Sequence, residues 1–261
     1  MITVREHFRN APASKAPAKP DMEKRELGQF FTPPSLADFI AAFFTRPLQE
    51  WRVIDAGAGG GALSFALVQK ILKQDPLPIS VKLTTYEVDP AAIEQLRDTL
   101  QNCAQLCAEQ GVNFTSELRT QDFIAHTTAA LEQGLFSPDL KTFNAAIVNP
   151  PYRKLAVGSS AHDQLRKVGI DVSNLYSGFL ALLSRLLETD AELLAIVPRS
   201  FCNGPYFREF RQDFLSRMAL RRMHVFESRS AAFSNEAVLQ ENIIVRAERT
   251  SAPPRYRRNF I

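Results

Sequence analysis

Cysteine and histidine are scarce in this chain of 261 residues. Three cysteines, Cys103, Cys107 and Cys202, are too few and too unpatterned for a disulfide framework. Four histidines, His7, His126, His162 and His224, are scattered without zinc-ligand spacing, so no metal site is expected. No run is long and apolar enough to span a bilayer. The first 21 residues hold no apolar signal-peptide core. These absences exclude a secreted disulfide scaffold and a helical membrane protein, and the expected compartment is the cytoplasm. Strong charge of one sign is also missing. Lys and Arg total 31 against 28 for Asp and Glu, a net charge of +3. That balance permits a nucleic-acid partner without requiring one. No nuclease-type Pro-Asp…Asp/Glu-x-Lys pattern stands in a convincing setting.

What is present is a packed globular composition, 45% hydrophobic, of a length that suits one α/β domain. The most informative segment is Asn149-Pro150-Pro151-Tyr152. It closes the apolar run Ala145-Ala146-Ile147-Val148, which reads as a buried strand. Two prolines remove backbone donors and fix φ. Carbonyl oxygens and the Asn149 side-chain oxygen are left to accept hydrogen bonds from a planar amine. The Tyr152 ring offers a flat surface to a flat substrate. The bland alternative is an ordinary Pro-rich turn with Asn149 bonding locally.

Strands are expected over 51–56, 80–88, 113–118, 145–148, 192–197, 222–226 and 239–245. Helices are expected over 36–44 with Ser35 as cap, 62–73, 90–110, 124–131, 174–187 and 206–218. Pro90 suits a first helical position and Gly111 a helix end. A polar loop is expected between Tyr152 and Ser173. Alternation of strand and helix means a mostly parallel sheet covered on both faces. Ligands of such sheets bind outside the carboxyl ends of the strands. Four conspicuous segments fall there: residues 57–61, Glu87, Asp122-Phe123 and residues 149–152.

The run Asp55-Ala56-Gly57-Ala58-Gly59-Gly60-Gly61 lacks the Gly-Lys-Ser/Thr ending of a phosphate loop. Gly57 and Gly59 let backbone approach a ligand closely. Asp55 suits an ammonium or sulfonium. Glu87 is placed to accept ribose hydroxyls. Asp122 would accept from an adenine amino group and Phe123 would lie on the adenine face. Together these roles describe S-adenosylmethionine. The structural alternatives are a helix N-cap for Asp122, a core aromatic for Phe123 and dipole-favoured acids for Glu87 and Asp89.

With its motifs in this order, the chain resembles the N6-adenine DNA methyltransferases whose cofactor motifs precede the catalytic one, as found in restriction-modification systems. Gly28-Gln29-Phe30-Phe31-Thr32-Pro33 is similar to their N-terminal motif. The resemblance assigns Phe31, Thr32 and Pro33 to the cofactor's methionine end. It makes Asn149, Pro150, Pro151 and Tyr152 the catalytic tetrad, with Asn149 also beside the cofactor. Phe233, followed by Val238-Leu239-Gln240-Glu241-Asn242, is similar to the late motif that supplies an aromatic ring. It implies a Rossmann-like class I S-adenosylmethionine-dependent methyltransferase fold, an α/β architecture with a mostly parallel seven-stranded sheet.

The implied chemistry acts on an adenine extruded from double-stranded DNA. Asn149 and Pro150 would hold its amino group, and Tyr152 and Phe233 would pack against its faces. Arg153, Lys154 and Arg199 are expected to contact DNA. A basic lead-in over 1–22, a catalytic domain over 23–250 and a basic tail over 251–261 are expected. The large DNA-recognition region of such enzymes does not follow the catalytic motifs here. Recognition would then lie in a missing region or in a separate subunit. The alternatives are a glutamine or ribosomal-RNA guanine methyltransferase, methylation of cytosine N4, and a partner-dependent DNA-binding subunit.

Overall fold

The computed structural model describes residues 32–137, 141–226 and 242–252. Phe31, Phe233, the lead-in over 1–22 and residues 253–261 of the expected basic tail lie outside the described residues. Among the described residues seven strands form one sheet: β1 Glu50–Ala56, β2 Ser80–Tyr86, β3 Asn113–Arg119, β4 Phe143–Val148, β5 Leu187–Pro198, β6 Met218–Val225 and β7 Asn242–Arg249. Their spatial order is β3-β2-β1-β4-β5-β7-β6. Neighbours from β3 to β5 pair in parallel, and β7 runs antiparallel to both β5 and β6. The strand order reverses where β1 meets β4, so the main crevice of the sheet opens at their carboxyl ends.

The helices among the described residues are α1 Pro34–Ala41, α2 Ala62–Ile71, α3 Pro90–Glu109, α4 Phe123–Gln133, α5 Ser160–Lys167, α6 Leu175–Leu186 and α7 Arg208–Arg217. Strand side chains alternate between faces, so two cores form. Val53, Ala145, Ile147, Leu194, Ile196 and Ile244 pack with α1, α2 and α3. Ile54, Ala146, Val148, Leu193, Ala195 and Val245 pack with α4, α5, α6 and α7. Burying each large aliphatic side chain stabilises the fold by about 1.5–3 kcal/mol.

Local chemistry sets most helix starts. Asp89 accepts from the Ala91 N–H at 2.9 Å and Asp122 from the Ala125 N–H at 2.8 Å. Ser35 does not cap α1: the helix already begins at Pro34, and the Pro33 carbonyl accepts from Leu36 and Ala37. Proline needs no donor at that position, which moves the start forward.

The expected polar loop contains α5. Its Leu165 is fully buried and leans on α6 at Gly178, where a Cβ would come within 2.9 Å of Leu165 Cδ1. One leucine and His162 are all that α5 buries, too little for an apolar period. Strand β5 begins five residues before the expected position. Asp190 there has φ 67°, and pairing with β4 shifts between Phe143 and Ala145. Strand β6 begins at Met218, inside the segment expected to finish α7.

At the amino ends of the strands, Glu192 is 2% exposed and ties α1 to the sheet. Its carboxylate accepts from the Thr45 N–H at 3.1 Å, the Thr45 hydroxyl at 2.7 Å and Arg246 Nε at 2.8 Å. Glu192→Ala leaves Arg246 without this partner and is expected to destabilise the fold by about 3–5 kcal/mol. Denaturant unfolding of the two proteins checks it.

Candidate active site

Strand β1 delivers Asp55 to the crevice fully buried. Its Oδ2 accepts from the Ser64 hydroxyl of α2 at 2.7 Å. Its Oδ1 has no hydrogen-bond partner among the described residues. Burial pushes the carboxyl up to about 7, the Ser64 bond works against that rise, and the charge of Glu87 adds to it. A cationic group placed against this carboxyl would favour its charged form.

The glycine loop follows. Gly57 and Gly59 have φ 82° and 56°. The N–H groups of Gly57 and Ala58 donate to the Tyr86 carbonyl at 2.9 and 2.8 Å, which ties the loop to β2. Gly61 has φ 86°, and an added Cβ would come within 2.8 Å of Leu96 and Thr99 on α3. Only glycine suits that turn. Glu87, just past β2, is 5% exposed. Its Oε2 accepts from the Gly59 N–H, and its Oε1 from the N–H groups of Val88 and Asp89, each at 2.8 Å. Those three bonds leave a carboxylate capacity for one more donor.

Beyond β3, Asp122 is exposed and caps α4. Phe123 is 3% exposed, its ring edge-on to Tyr86 at 5.0 Å and tilted on Phe179 at 4.9 Å. The structure thus seats Phe123 within the core that walls this end of the crevice.

Beyond β4, Asn149 is half-buried and Pro150 buried. Asn149 Nδ2 donates to the Thr32 hydroxyl at 3.1 Å. Asn149 Oδ1 accepts from the Tyr152 hydroxyl at 2.7 Å, and the same hydroxyl lies 3.0 Å from the Ile196 carbonyl. The single hydroxyl proton of Tyr152 thus faces two acceptor oxygens, and the amide of Asn149 lies between Tyr152 and Thr32. Burial first, and then Tyr176, hold the Tyr152 proton well above the usual tyrosine range. The Tyr152 hydroxyl therefore stays protonated around neutral pH. Its ring meets Tyr176 at right angles, with centroids 6.4 Å apart. Pro33 is exposed beside Thr32, and Pro151 is half-buried.

Arg153 and Lys154 are exposed immediately after the turn. Backbone bonds from Leu175 to Arg153 and from Leu155 to Ser173 hold them against the start of α6. Arg199 is exposed just past β5. The structure therefore brings Thr32, Asp55, Gly57, Gly59, Glu87 and residues 149–154 to one edge of the sheet. Sequence reasoning missed Ser64, the Ile196 carbonyl and the role of the Tyr152 hydroxyl. Ser64 had a signal: a small hydroxyl residue in the first turn of the helix that follows Asp55. Among the described residues no group of three or more His, Cys, Asp or Glu side chains is placed to hold a metal, and no helix is long and apolar enough to cross a membrane.

Residues 65–233 match the model of the Eco57I restriction-modification methylase family. The chain is 40% identical over 229 residues to the Type II methyltransferase M.BsuBI of Bacillus subtilis, covering 87% of this chain and 44% of that protein. It is 41% identical over 221 residues to the Type II methyltransferase M.PstI of Providencia stuartii, covering 85% and 43%. The chain thus spans less than half the length of these curated relatives. Its fold is similar to that of a class I S-adenosylmethionine-dependent methyltransferase from Listeria monocytogenes, with TM-score 0.63 at 13% identity over 90% of this chain and 65% of the other.

The Asp55 geometry gives a pH prediction. An unfolded Asp loses its proton near 3.8, whereas folded Asp55 keeps it to about 7. A raised carboxyl pKa favours the folded state at low pH, and that advantage is lost as pH rises from about 4 to 7. The loss amounts to about 1.4 kcal/mol per pH unit crossed. Urea unfolding across this range should show the decline in the wild type, and Asp55→Asn should lack it.

Proposed function

The chain belongs to the Eco57I restriction-modification methylase family, and on that premise we propose that it methylates the N6 amino group of adenine in DNA. The observation that carries this reading is the held amide of Asn149 beside the buried Asp55. Both sit at the carboxyl edge where β4 meets β1.

S-adenosylmethionine fits the residues present and supplies an electrophilic methyl group on a sulfonium. Asp55 Oδ1 answers the positive charge of its methionine end, with Thr32 and Pro33 alongside. Glu87 has one acceptor site left for a ribose hydroxyl. Asp122 and Phe123 border the place of the adenine ring.

The target base has to leave the duplex to reach this edge. Asn149 Oδ1 and the Pro150 carbonyl then accept the two hydrogens of its amino group, and the nitrogen lone pair is freed from conjugation. Thr32 and Tyr152 keep the acceptor half of the amide facing the amine. The work is positioning, which contributes roughly 7–11 kcal/mol in well-oriented reactions. The Tyr152 ring supplies a stacking surface, worth about 1–3 kcal/mol per base. Arg153, Lys154 and Arg199 are assigned to phosphates, which makes binding weaken with salt. Recognition of a particular DNA sequence is assigned to a further region or a partner subunit.

Labelled S-adenosylmethionine and unmethylated duplex DNA, followed by nucleoside analysis, test the reading. N6-methyladenine is the expected product. Asn149→Ala should lower the rate at least about a hundredfold, the usual cost of removing one positioned hydrogen-bonding group, while cofactor affinity stays near that of the wild type. N4-methylcytosine would overturn the choice of base, and transfer to RNA or protein but not to DNA in parallel reactions would overturn the choice of polymer.

A further inference from the structure

Strand β7 opens with Asn242-Ile243-Ile244-Val245, and the three residues after Asn242 are buried to 1% exposure or less. Asn242 itself is 5% exposed, and neither Oδ1 nor Nδ2 has a hydrogen-bond partner among the described residues. A buried amide with both ends unpaired is unfavourable, and native structures rarely keep one without a use.

Its place in the sheet points to that use. Strand β7 is antiparallel to its neighbours, so its first residue lies at the carboxyl edge of the parallel strands. Asn242 pairs with Pro198, the last residue of β5. By strand alternation it shares a face with Ile244, which packs with Ile196 and α1. Asn149 reaches Thr32 immediately before α1. Tyr152 contacts the carbonyl of Ile196, two residues before Pro198. Asn242 is thus separated from the Asn149 turn by β5 alone. Adjacent strands lie about 4.8 Å apart, so β4 and β7 are roughly 10 Å apart, within the span of a nucleotide.

We propose that Asn242 contacts the extruded nucleotide, its Nδ2 donating to a ring nitrogen of the base. This rests on the reading of the site under Proposed function. There the amino hydrogens go to Asn149 and Pro150. The ring nitrogens of adenine remain as acceptors beside that amino group, and the Asn242 Nδ2 can donate to one of them. Contact requires the edge to open around Asn242, and the cost of leaving the amide unpaired favours the engaged state.

Asn242→Leu keeps a similar size and removes both polar atoms. Its melting temperature without ligands should rise, because an uncompensated group is gone. Its kcat/KM for duplex DNA should fall about tenfold, the effect of one hydrogen bond, with S-adenosylmethionine affinity unchanged by calorimetry. Duplexes carrying 1-deaza-, 3-deaza- or 7-deazaadenine at the methylated position identify the acceptor. One of them should slow the wild type about tenfold and slow Asn242→Leu no further, since both changes delete the same bond. A lower melting temperature in Asn242→Leu would make the residue structural and overturn the proposal. So would an unchanged kcat/KM, or equal deaza penalties in the two proteins. A wild type that transfers the methyl group to cytosine, RNA or protein and not to adenine would instead overturn the underlying reading, and this proposal with it.

Discussion

One unpaired oxygen on a buried carboxyl organises this molecule's chemistry. Asp55 sits at the end of β1, where the strand order reverses, and among the described residues only Ser64 donates to its side chain. A carboxyl so placed keeps its proton to about 7. The sheet cannot relieve it, because every strand around it is buried on both faces. A positive ligand would relieve it, and on the proposed reading the surrounding elements hold one. The glycine loop brings backbone close, Glu87 pins that loop at Gly59, and Tyr86 ties it to β2.

The same edge carries a second device of the opposite kind. Around Asn149 the polar groups are paired, with Thr32 on the nitrogen and Tyr152 on the oxygen. Pairing fixes an orientation, whereas an unpaired group waits for a ligand. The site combines both. On the proposed reading, the held amide accepts from an amine and Asp55 takes a sulfonium or ammonium. Stability elsewhere offsets the cost of the unpaired groups, chiefly the two apolar cores and the Glu192–Arg246 pair that fastens α1 to the sheet.

The centre of the sheet was legible in the sequence because β1, β4 and β5 carry apolar runs that end beside glycine or proline. Asp89 and Asp122 cap helices as their positions suggest, since a cap is a contact between near neighbours. Other features depend on distant partners. The Thr32–Asn149 bond joins residues 117 apart, and the Tyr152–Ile196 contact spans 44. Helix α5 is held by Leu165 against Gly178, a fit between two surfaces that no periodicity reports. The early start of β5 passes through Asp190 in the left-handed region, where Asp carries only a weak expectation. Asn242 was readable as part of a late motif, but its lack of partners exists only in the folded chain.

Calorimetric titration of S-adenosylmethionine at pH 6, in two buffers of different ionisation enthalpy, tests the central claim most directly. Asp55 enters that titration protonated, because its pKa is about 7. A bound cation returns its charge, so close to one proton should be released per ligand bound, and Asp55→Asn should release none. Binding with no proton release, or with the same release in Asp55→Asn, would contradict the account.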